Sequence, residues 1–590
     1  MEKELKNYPI NDLPVLYGVI KTLGIAGSIN NQFKEHGNWV GILPGEILEL
    51  WLCYILSQCD HRLSGAEEWA KQHLEFLRIM SGVAKLSAHD FSDDKLGSLL
   101  GYFSEDKVWG VVEKTVNQKG LGVYRLKEEG SLNTFRLDAA PMQSHGKVIE
   151  NGLLQYGYSK HHADLPQFKL KLCTLDNEVN NFAYPICHLT VNGKVADDEL
   201  YVAIIEKSKQ VLQGLTTYAI GNLYVGDSKF GSLVNRCYVF QNKDYYLMPL
   251  SAVQLSLKKR MELIDGSEPS TYHQVFRTEK KKQVLVAEGF EVSEQIEVKP
   301  GERIDKWKER RLFVHSIKYA KSQQHALDKR LIKAEAKILQ LTERKQGKPV
   351  LKTKKEYNLA ITAILQANKV EGLITVELKK RTIQKEKRAY GDKPKRIEKK
   401  VDFSLTVCRQ TEEIRQRKKY MGWQIYATNA PSNLLTFEQC VWKYRYQSNI
   451  ESRFDDIRNK MAALLPVFLQ KDERIEGLVN VLLLALKVCS ILEYKAAKSL
   501  QDQEELLFNV YEGNPNRGTD RPSAKRLLKA FDGVAISLIF EDNNFQFALM
   551  TKLKPVQKKV LEILDLKEDI YTGLIEKIEL WFSNKKVIET

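Results

Sequence analysis

The sequence predicts an α/β fold: a mixed sheet interrupted by a basic α+β insertion and preceded by an all-α N-terminal domain. Three observations predict it. Apolar residues recur at helical spacing through the first 115 residues. From about Asn133, short period-2 runs alternate with helical stretches. Residues 303–400 carry 29 Lys and Arg against 11 Asp and Glu, a surplus of 18 that exceeds the net charge of +15 on the whole chain.

A chain of 590 residues can bury several cores, about three or four domains. The expected divisions are a helical domain over 1–125, a first part of the core over 126–250, the insertion over 251–430, a second part of the core over 431–500 and a C-terminal region over 501–590. A hydrophobic share of 43% argues against global disorder. The pI near 9.1 favours a polyanionic partner, because each neutralised phosphate releases counterions. The 8 cysteines form no CxxC and have no histidines at zinc spacing, which reads as reduced, mostly buried thiols in a cytoplasmic protein. The start, MEKELKNYPIND, has no signal-peptide apolar core. The most apolar stretch, GLVNVLLLALKVCSIL, is broken by Asn480 and Lys487 and reads as a buried helix, not a membrane span. Nucleic acid is therefore the preferred anionic partner, and no membrane is expected.

In chain order, EILELWLCYIL is a helix interior. DFSDDKLGSLLGYF opens on capping residues and sets Leu96, Leu99 and Leu100 on one face, and VWGVVEKTV continues in the same style. TFRLDAA is a short strand ending on Asp138. In QFKLKLCTLD, Phe168, Leu170 and Leu172 alternate with Lys169 and Lys171, which predicts a strand with one wet face. YPICHLTVNG is a third strand, and ADDELYVAIIEKSKQVLQGL a helix. NLYVGDSKF is a fourth strand ending on Asp227, and DYYLMPL a fifth. Three strands joined by short turns, then helix-linked strands, make a mixed sheet of the ribonuclease-H type. The stretch Arg310 to Arg344 lacks Gly and Pro and predicts a long exposed helix; GLITVELKKRTI and KRIEKKVDFSLTV predict strands. GWQIYATN is another strand. Helices follow at 447–463 and 475–493, RPSAKRLLKAF is helical in pattern, and VAISLIF is strand-like.

Carboxylates at the ends of adjacent strands are natural ligands for hard divalent cations, and phosphoryl transfer on DNA uses such a pair about 3.5–4 Å apart. Asp138 and Asp227 end the first and fourth strands, which are neighbours in a ribonuclease-H arrangement. A third ligand must come from another element. Glu451 lies in the first turns of the helix after the insertion, where Ile450, Phe454 and Ile457 can bury against the sheet. Asp455, at i+4 on the same face, is the alternative.

At these residues the chain resembles the bacterial insertion-sequence DDE transposases of the large group with a Tyr-Arg-Glu-Lys signature. FRLDAAPMQSHGKV is similar to the block around the first catalytic Asp, and GYSKHHADLPQFKLKL to the block after it. LYVGDSKFGS matches the second-Asp block and YRYQSNIESRFDDIRNK the Glu block. LSAHDFSDDKLGSLLGYF and RPSAKRLLKAFDG are similar to an N-terminal helical domain and a C-terminal block, so the resemblance spans nearly the whole chain. It implies that Asp138, Asp227 and Glu451 are the catalytic, metal-binding triad, holding two Mg²⁺ ions for which Mn²⁺ can substitute. The signature places Tyr444 and Glu451 as in the family. Gln447 stands at the Arg position and Arg458 at the Lys position; Arg445, Arg453 and Lys460 are cations near enough in sequence to compensate for Gln447. Tyr444, Gln447, Arg458, Lys460 and Arg445 are the expected DNA contacts, with Asp164 and Asp455 in support.

The implied reaction is nicking at the element's ends, followed by attack of the freed 3′-hydroxyl on target DNA. The implied partner is double-stranded DNA, both transposon ends and target, bound by a dimer. The basic insertion would track the DNA backbone. Trp423 and Trp442 flank the approach to Glu451 and read as core residues before stacking platforms. His145, His161 and His162 lie near Asp138 in sequence and read as loop surface. Two other readings stand beside this one: a ribonuclease-H-like DNA nuclease without strand transfer, and a catalytically silent DNA-binding protein.

Overall fold

The computed structural model describes residues 3–34, 39–124, 132–157, 164–176, 182–214, 221–279, 282–299, 304–343, 351–388, 391, 395–462, 464–542 and 544–588. The chain divides into two units: Met1–Met248 with Val298–Asp305 and Lys443–Thr590, and Pro249–Glu297 with Lys306–Trp442.

The first unit opens on β1 (Lys3–Pro9). Six helices follow: α1 (Leu13–Thr22), α2 (Ile25–Asn30), α3 (Pro44–Gln58), α4 (Leu63–Ser81), α5 (Asp93–Phe103) and α6 (Asp106–Tyr124). Pro14 and Pro44 stand in the first turns of α1 and α3, where a missing N–H leaves no helical bond unmade. Every residue of α3 from Ile47 to Leu56 is buried, as suits a helix apolar on all sides. β1 departs from the all-helical expectation. It pairs antiparallel with the strand Ala535–Glu541 at the far end of the chain. KELKNYP has no apolar alternation of its own, so only that distant partner makes it a strand.

The core sheet of this unit comprises β2 (Asn133–Gln143), β3 (Gln167–Asp176), β4 (Ala183–Asn192), β5 (Asn222–Val225) and β6 (Tyr245–Pro249), in the order β4-β3-β2-β5-β6. The β2–β3 and β3–β4 pairs are antiparallel, and the β2–β5 and β5–β6 pairs are parallel. Helices α7 (Leu200–Leu212) and α8 (Leu233–Gln241) make the two crossovers. This is a mixed α/β sheet with the element order read from the sequence. The expected wet face of β3 is a correction: every β3 residue except Lys169 is buried, Lys171 completely.

The second unit contains α9 (Leu257–Asp265), β7 (His273–Glu279), β8 (Lys282–Val298), β9 (Asp305–Ser316), α10 (Ile317–Leu339), α11 (Lys354–Asn368), β10 (Ile374–Lys387), β11 (Arg396–Arg409), α12 (Thr411–Lys419) and β12 (Trp423–Thr428). Strands run in the order β12-β9-β8-β7, while β10 and β11 form a separate long antiparallel hairpin. The long helix begins at Ile317, not Arg310. Residues 310–316 finish β9 instead, because the buried Arg310 guanidinium is held by Glu291 and by the carbonyls of Ala430 and Leu435. That tertiary demand overrides helical composition. Leu327, Leu331 and Ala334 of α10 pack on Val370, Leu373, Ile374 and Ile414. Lys318, Lys321, His325, Lys329, Lys333 and Lys337 stand exposed on the opposite side of that helix.

The chain then forms α13 (Phe437–Arg445), and after a two-residue turn α14 (Ser448–Asp455), which runs into a π-helical turn over Asp456–Lys460. The continuous helix expected over 447–463 is therefore a short α-helix ending in a widened turn. α15 (Asp472–Asp502), α16 (Ala524–Lys529), β13 (Ala535–Glu541), β14 (Asn544–Met550), α17 (Pro555–Ile563) and α18 (Asp569–Ile588) complete the first unit. Among the described residues α15 alone is long and apolar enough to cross a membrane, and 94% of its apolar window is buried inside the protein. A Cβ at Gly477 would lie 2.0 Å from the Leu100 carbonyl oxygen, so glycine is what lets α15 cross α5 so closely.

Candidate active site

β2 and β5 pair in parallel from Asn133↔Asn222 to Arg136↔Val225. Asp138 and Asp227 each lie two residues beyond that last rung, so the register carries both carboxylates to one end of the sheet. β2 itself continues to Gln143 against β3, which makes Asp138 a mid-strand residue; the parallel pairing, not the strand, ends before it. The turn after β5 is tight. A Cβ at Gly226 would meet the Phe230 side chain at 2.9 Å, and the Phe230 N–H donates to the Asp227 carbonyl at 3.1 Å.

Alternate residues of β2 meet successive turns of the helical segment that carries Glu451. Lys443 Nζ donates to Thr134 Oγ1 at 2.8 Å, and Arg136 Nη1 donates to Gln447 Oε1 at 3.4 Å. Lys443 lies in α13, Gln447 in the two-residue turn and Glu451 in α14. Two residues on from Arg136 and four on from Gln447 come Asp138 and Glu451, and the Glu451 carboxylate acts on Asp138. Ile450, Phe454 and Ile457 are buried beneath, while Glu451 is exposed.

The electrostatics place the three acids in one field. Asp138 is half-buried and its carboxyl is pushed up to about 6. Burial is the main cause, and Asp227 and Glu451 add to it against the pull of the Ala139 N–H and Lys171. Asp138 Oδ1 accepts from the Ala139 N–H at 2.8 Å. Asp227 Oδ1 accepts from the Tyr201 hydroxyl at 2.6 Å and the Lys229 N–H at 3.0 Å. The Tyr444 phenol is raised to about 12 by burial and then by Asp227, Glu451 and Asp138, so it too lies within reach of all three charges.

The remaining expected residues take varied places. Gln447 Nε2 donates to the Leu137 carbonyl at 3.5 Å, so this side chain bridges to β2. Arg458 lies in the π-turn, donates to the Pro141 carbonyl at 3.1 Å, and has its pKa lowered by burial. Lys460 and Asp455 pair with each other at 2.6 Å, which occupies the alternative third ligand with a surface ion pair. Arg445 is half-buried at the end of α13, and Asp164 is exposed in the turn before β3. His145 stacks on Phe468; His161 and His162 lie outside the described residues. Trp423 packs among Tyr272, Phe290 and His315.

Arg136 went unnoticed in the sequence, while Arg453 was read there as a cation able to compensate for Gln447 and Lys171 as part of a wet face; the structure buries all three. Arg136, fully buried, forms a bidentate pair with Asp176 at 2.6–2.9 Å. Arg453 joins Asp456 to Glu493 of α15, and Glu493 Oε1 accepts the Ala524 N–H at 3.0 Å, which ties α14 to the start of α16. Lys171 sits beside Asp138 and Asp227 with its ammonium 3.1 Å from the Tyr201 ring centroid. The alternation QFKLKL was the available signal; it marked a polar face but not what covers it.

Three oxygen-donor carboxylates within one another's electrostatic reach, one of them raised chiefly by burial, are suited in chemistry to a hard divalent cation. Among the described residues, however, no three His, Cys, Asp or Glu side chains stand close enough together to grip an ion between them. The acids are neighbours, not a closed cage.

No family model and no curated protein matches the chain. Among solved structures, a piggyBac transposase synaptic complex with hairpin DNA is similar over 97% of this chain and 84% of that chain, with 9% identity and a TM-score of 0.36.

Proposed function

We propose that this chain is a DNA transposase with a ribonuclease-H-like core, acting by metal-dependent phosphoryl transfer at Asp138, Asp227 and Glu451. The observation that supports it most is the in-register delivery of Asp138 and Asp227 beyond the last β2–β5 rung, with Glu451 four residues on from Gln447, which Arg136 of β2 contacts. Mg²⁺ held by these carboxylates would supply charge to stabilise the attacking and leaving oxygens. The protein's own groups do the rest. Tyr201 fixes one Asp227 oxygen, Gln447 and Arg136 seat the start of α14, and Arg453 anchors its far end to Glu493. In the first step a water oxygen attacks phosphorus and the P–O3′ bond breaks. In the second the freed 3′-hydroxyl attacks a target phosphate, and the target's own 3′-oxygen leaves. The cationic residues of 303–400 would hold the DNA backbone, and a dimer would hold two ends.

The test is a strand-transfer assay with Mg²⁺ or Mn²⁺ and DNA carrying the sequences that flank the reading frame. Joined products are expected. Nicks alone would leave a nuclease. Binding without cleavage would leave a silent DNA-binding protein.

A further inference from the structure

Charged residues and prolines usually guard the open edges of a sheet, because a bare edge pairs with another strand that it meets. The three-stranded sheet β1-β13-β14 is guarded on one side only. Its β1 edge, KELKNYP, carries Lys3, Glu4, Lys6 and Pro9. Its β14 edge, NFQFALM, has no charge and no proline, and among the described residues no strand pairs with its far side. α18 covers one face of the sheet, where Phe582 stacks on Phe545 at 4.6 Å. On the other face Leu5, Ile539 and Phe547 share one rung, with Leu5 66% and Phe547 46% exposed. Leu549, two residues further along β14, is 57% exposed. A register shift between Ile539 and Phe540 is what turns Phe547 to the opposite face from Phe545.

The charges that β14 lacks stand at its two ends. Glu541 and Asp542 precede the strand, and Lys552 and Lys554 follow it; Asp542 and both lysines are exposed. The 7 residues of the strand hold these ends roughly 20 Å apart, too far for the acids and bases to meet along one copy of it. Set antiparallel to a second β14, the acidic end of each strand meets the basic end of the other, twice over. Parallel pairing sets like charges together. Pairing of β14 with the β1 edge of another copy leaves a bare edge at each end and grows a filament instead of closing. We propose that β14 is the edge through which two copies of this chain associate: the strands pair antiparallel about a two-fold axis, join two three-stranded sheets into one, and set Phe547 and Leu549 of each copy beside those of the other. The pairing needs neither DNA nor a metal ion, so it stands or falls apart from the proposed chemistry.

The test is the mass of the full-length protein in solution, free of DNA, by sedimentation equilibrium at micromolar concentration and low salt. The wild type is expected at twice the 67.9 kDa of the chain. Phe547→Lys sets two ammoniums against each other at the joint and should be a monomer. Glu541→Lys with Asp542→Lys, and separately Lys552→Glu with Lys554→Glu, set like charges together and should each weaken the dimer about tenfold or more. All four substitutions in one chain should restore it, because the acids and bases have only exchanged ends. That rescue is a result that packing alone does not give, and it carries the comparison should Phe547→Lys fail to fold. A monomeric wild type, a mass that climbs past the dimer, a dimer untouched by a folded Phe547→Lys, or a four-residue exchange that stays as weak as its halves overturns the proposal. A dimer that forms as expected while strand transfer fails leaves this edge in place and removes only the proposed function.

Discussion

In the first unit, Asp138 and Asp227 stand at one end of a sheet beside the buried Lys171, and Glu451 is near enough to act on Asp138. In the second, Lys318, Lys321, Lys329, Lys333 and Lys337 stand in solvent along one side of α10. Both regions concentrate charge, and burial separates their behaviour. Burial, with a smaller push from Asp227 and Glu451, moves Asp138 to about 6, whereas exposed charges are screened within about 8 Å at physiological ionic strength. Coupled, partly buried acids favour a discrete cation in a fixed place. A screened cationic stripe favours a diffuse polyanion whose position along the helix matters little. The chemistry and the grip on DNA are therefore expected to fail separately.

The strongest way to break that division is at the acids. Asp138→Ala, Asp227→Ala and Glu451→Ala should each lower cleavage by about 1000-fold or more while leaving DNA affinity within a few-fold, because they act on the reacting phosphate. Gel-shift and cleavage assays on the same preparations would show it; wild-type cleavage in all three would remove the assignment. Next in size is Arg453→Ala. It strands the buried Asp456 and Glu493 carboxylates and should cost about 3–5 kcal/mol, read as a lower urea midpoint. An unchanged midpoint would mean that α14 is held by its apolar face alone.

Much of this was legible because it is local. The strand and helix order of the core follows from periods of two and 3.6, and Asp138 and Asp227 were visible as acids closing β-like runs. Glu451 became visible through its block, YQSNIESRFDD. What escaped depends on distant partners. β1 exists because Ala535–Glu541 pairs with it, and Arg310–Ser316 is strand because Glu291 and two remote carbonyls hold Arg310. Lys171 was assigned to water because alternation reports polarity, not exposure. On most sheets a lysine face is wet; here the Tyr201 ring of α7 covers Lys171. The π-turn at Asp456–Lys460 left no trace in the pattern at all.

The cationic side of α10 gives the next contrast. Changing Lys318, Lys321, Lys329, Lys333 and Lys337 together to Gln should weaken DNA binding about 10- to 100-fold near 0.1 M salt. It should also flatten the plot of log affinity against log salt, by nearly one for each phosphate that is no longer neutralised. Cleavage at saturating DNA should be unchanged. An unaltered salt slope would move the DNA-binding face elsewhere on the insertion, with Lys379, Lys380 and Arg381 at the exposed part of β10 the next set to neutralise.

The smallest effect is the most diagnostic of coupling. Asp138 has a folded-state pKa near 6, above the unfolded value near 4, so between those values the folded chain binds more protons. Its contribution is favourable below about pH 4 and is lost as pH rises through 6; at pH 7.5 the ionised carboxylate costs about 1–3 kcal/mol. Without divalent ions, Asp138→Asn should therefore raise the thermal midpoint at pH 7.5 by about 1–3 °C, a modest shift for a chain of this size. The gain should shrink towards zero at pH 4. Added Mn²⁺ should reverse the ranking, since the wild type gains a ligand-binding term that the Asn variant has largely lost. The α10 lysine variant, titrated in parallel, should show neither the pH-dependent gain nor the reversal, because its charges never left water. A gain in Asp138→Asn that persisted at pH 4 would assign it to packing, and the contrast between buried and solvated charge would lose its clearest member.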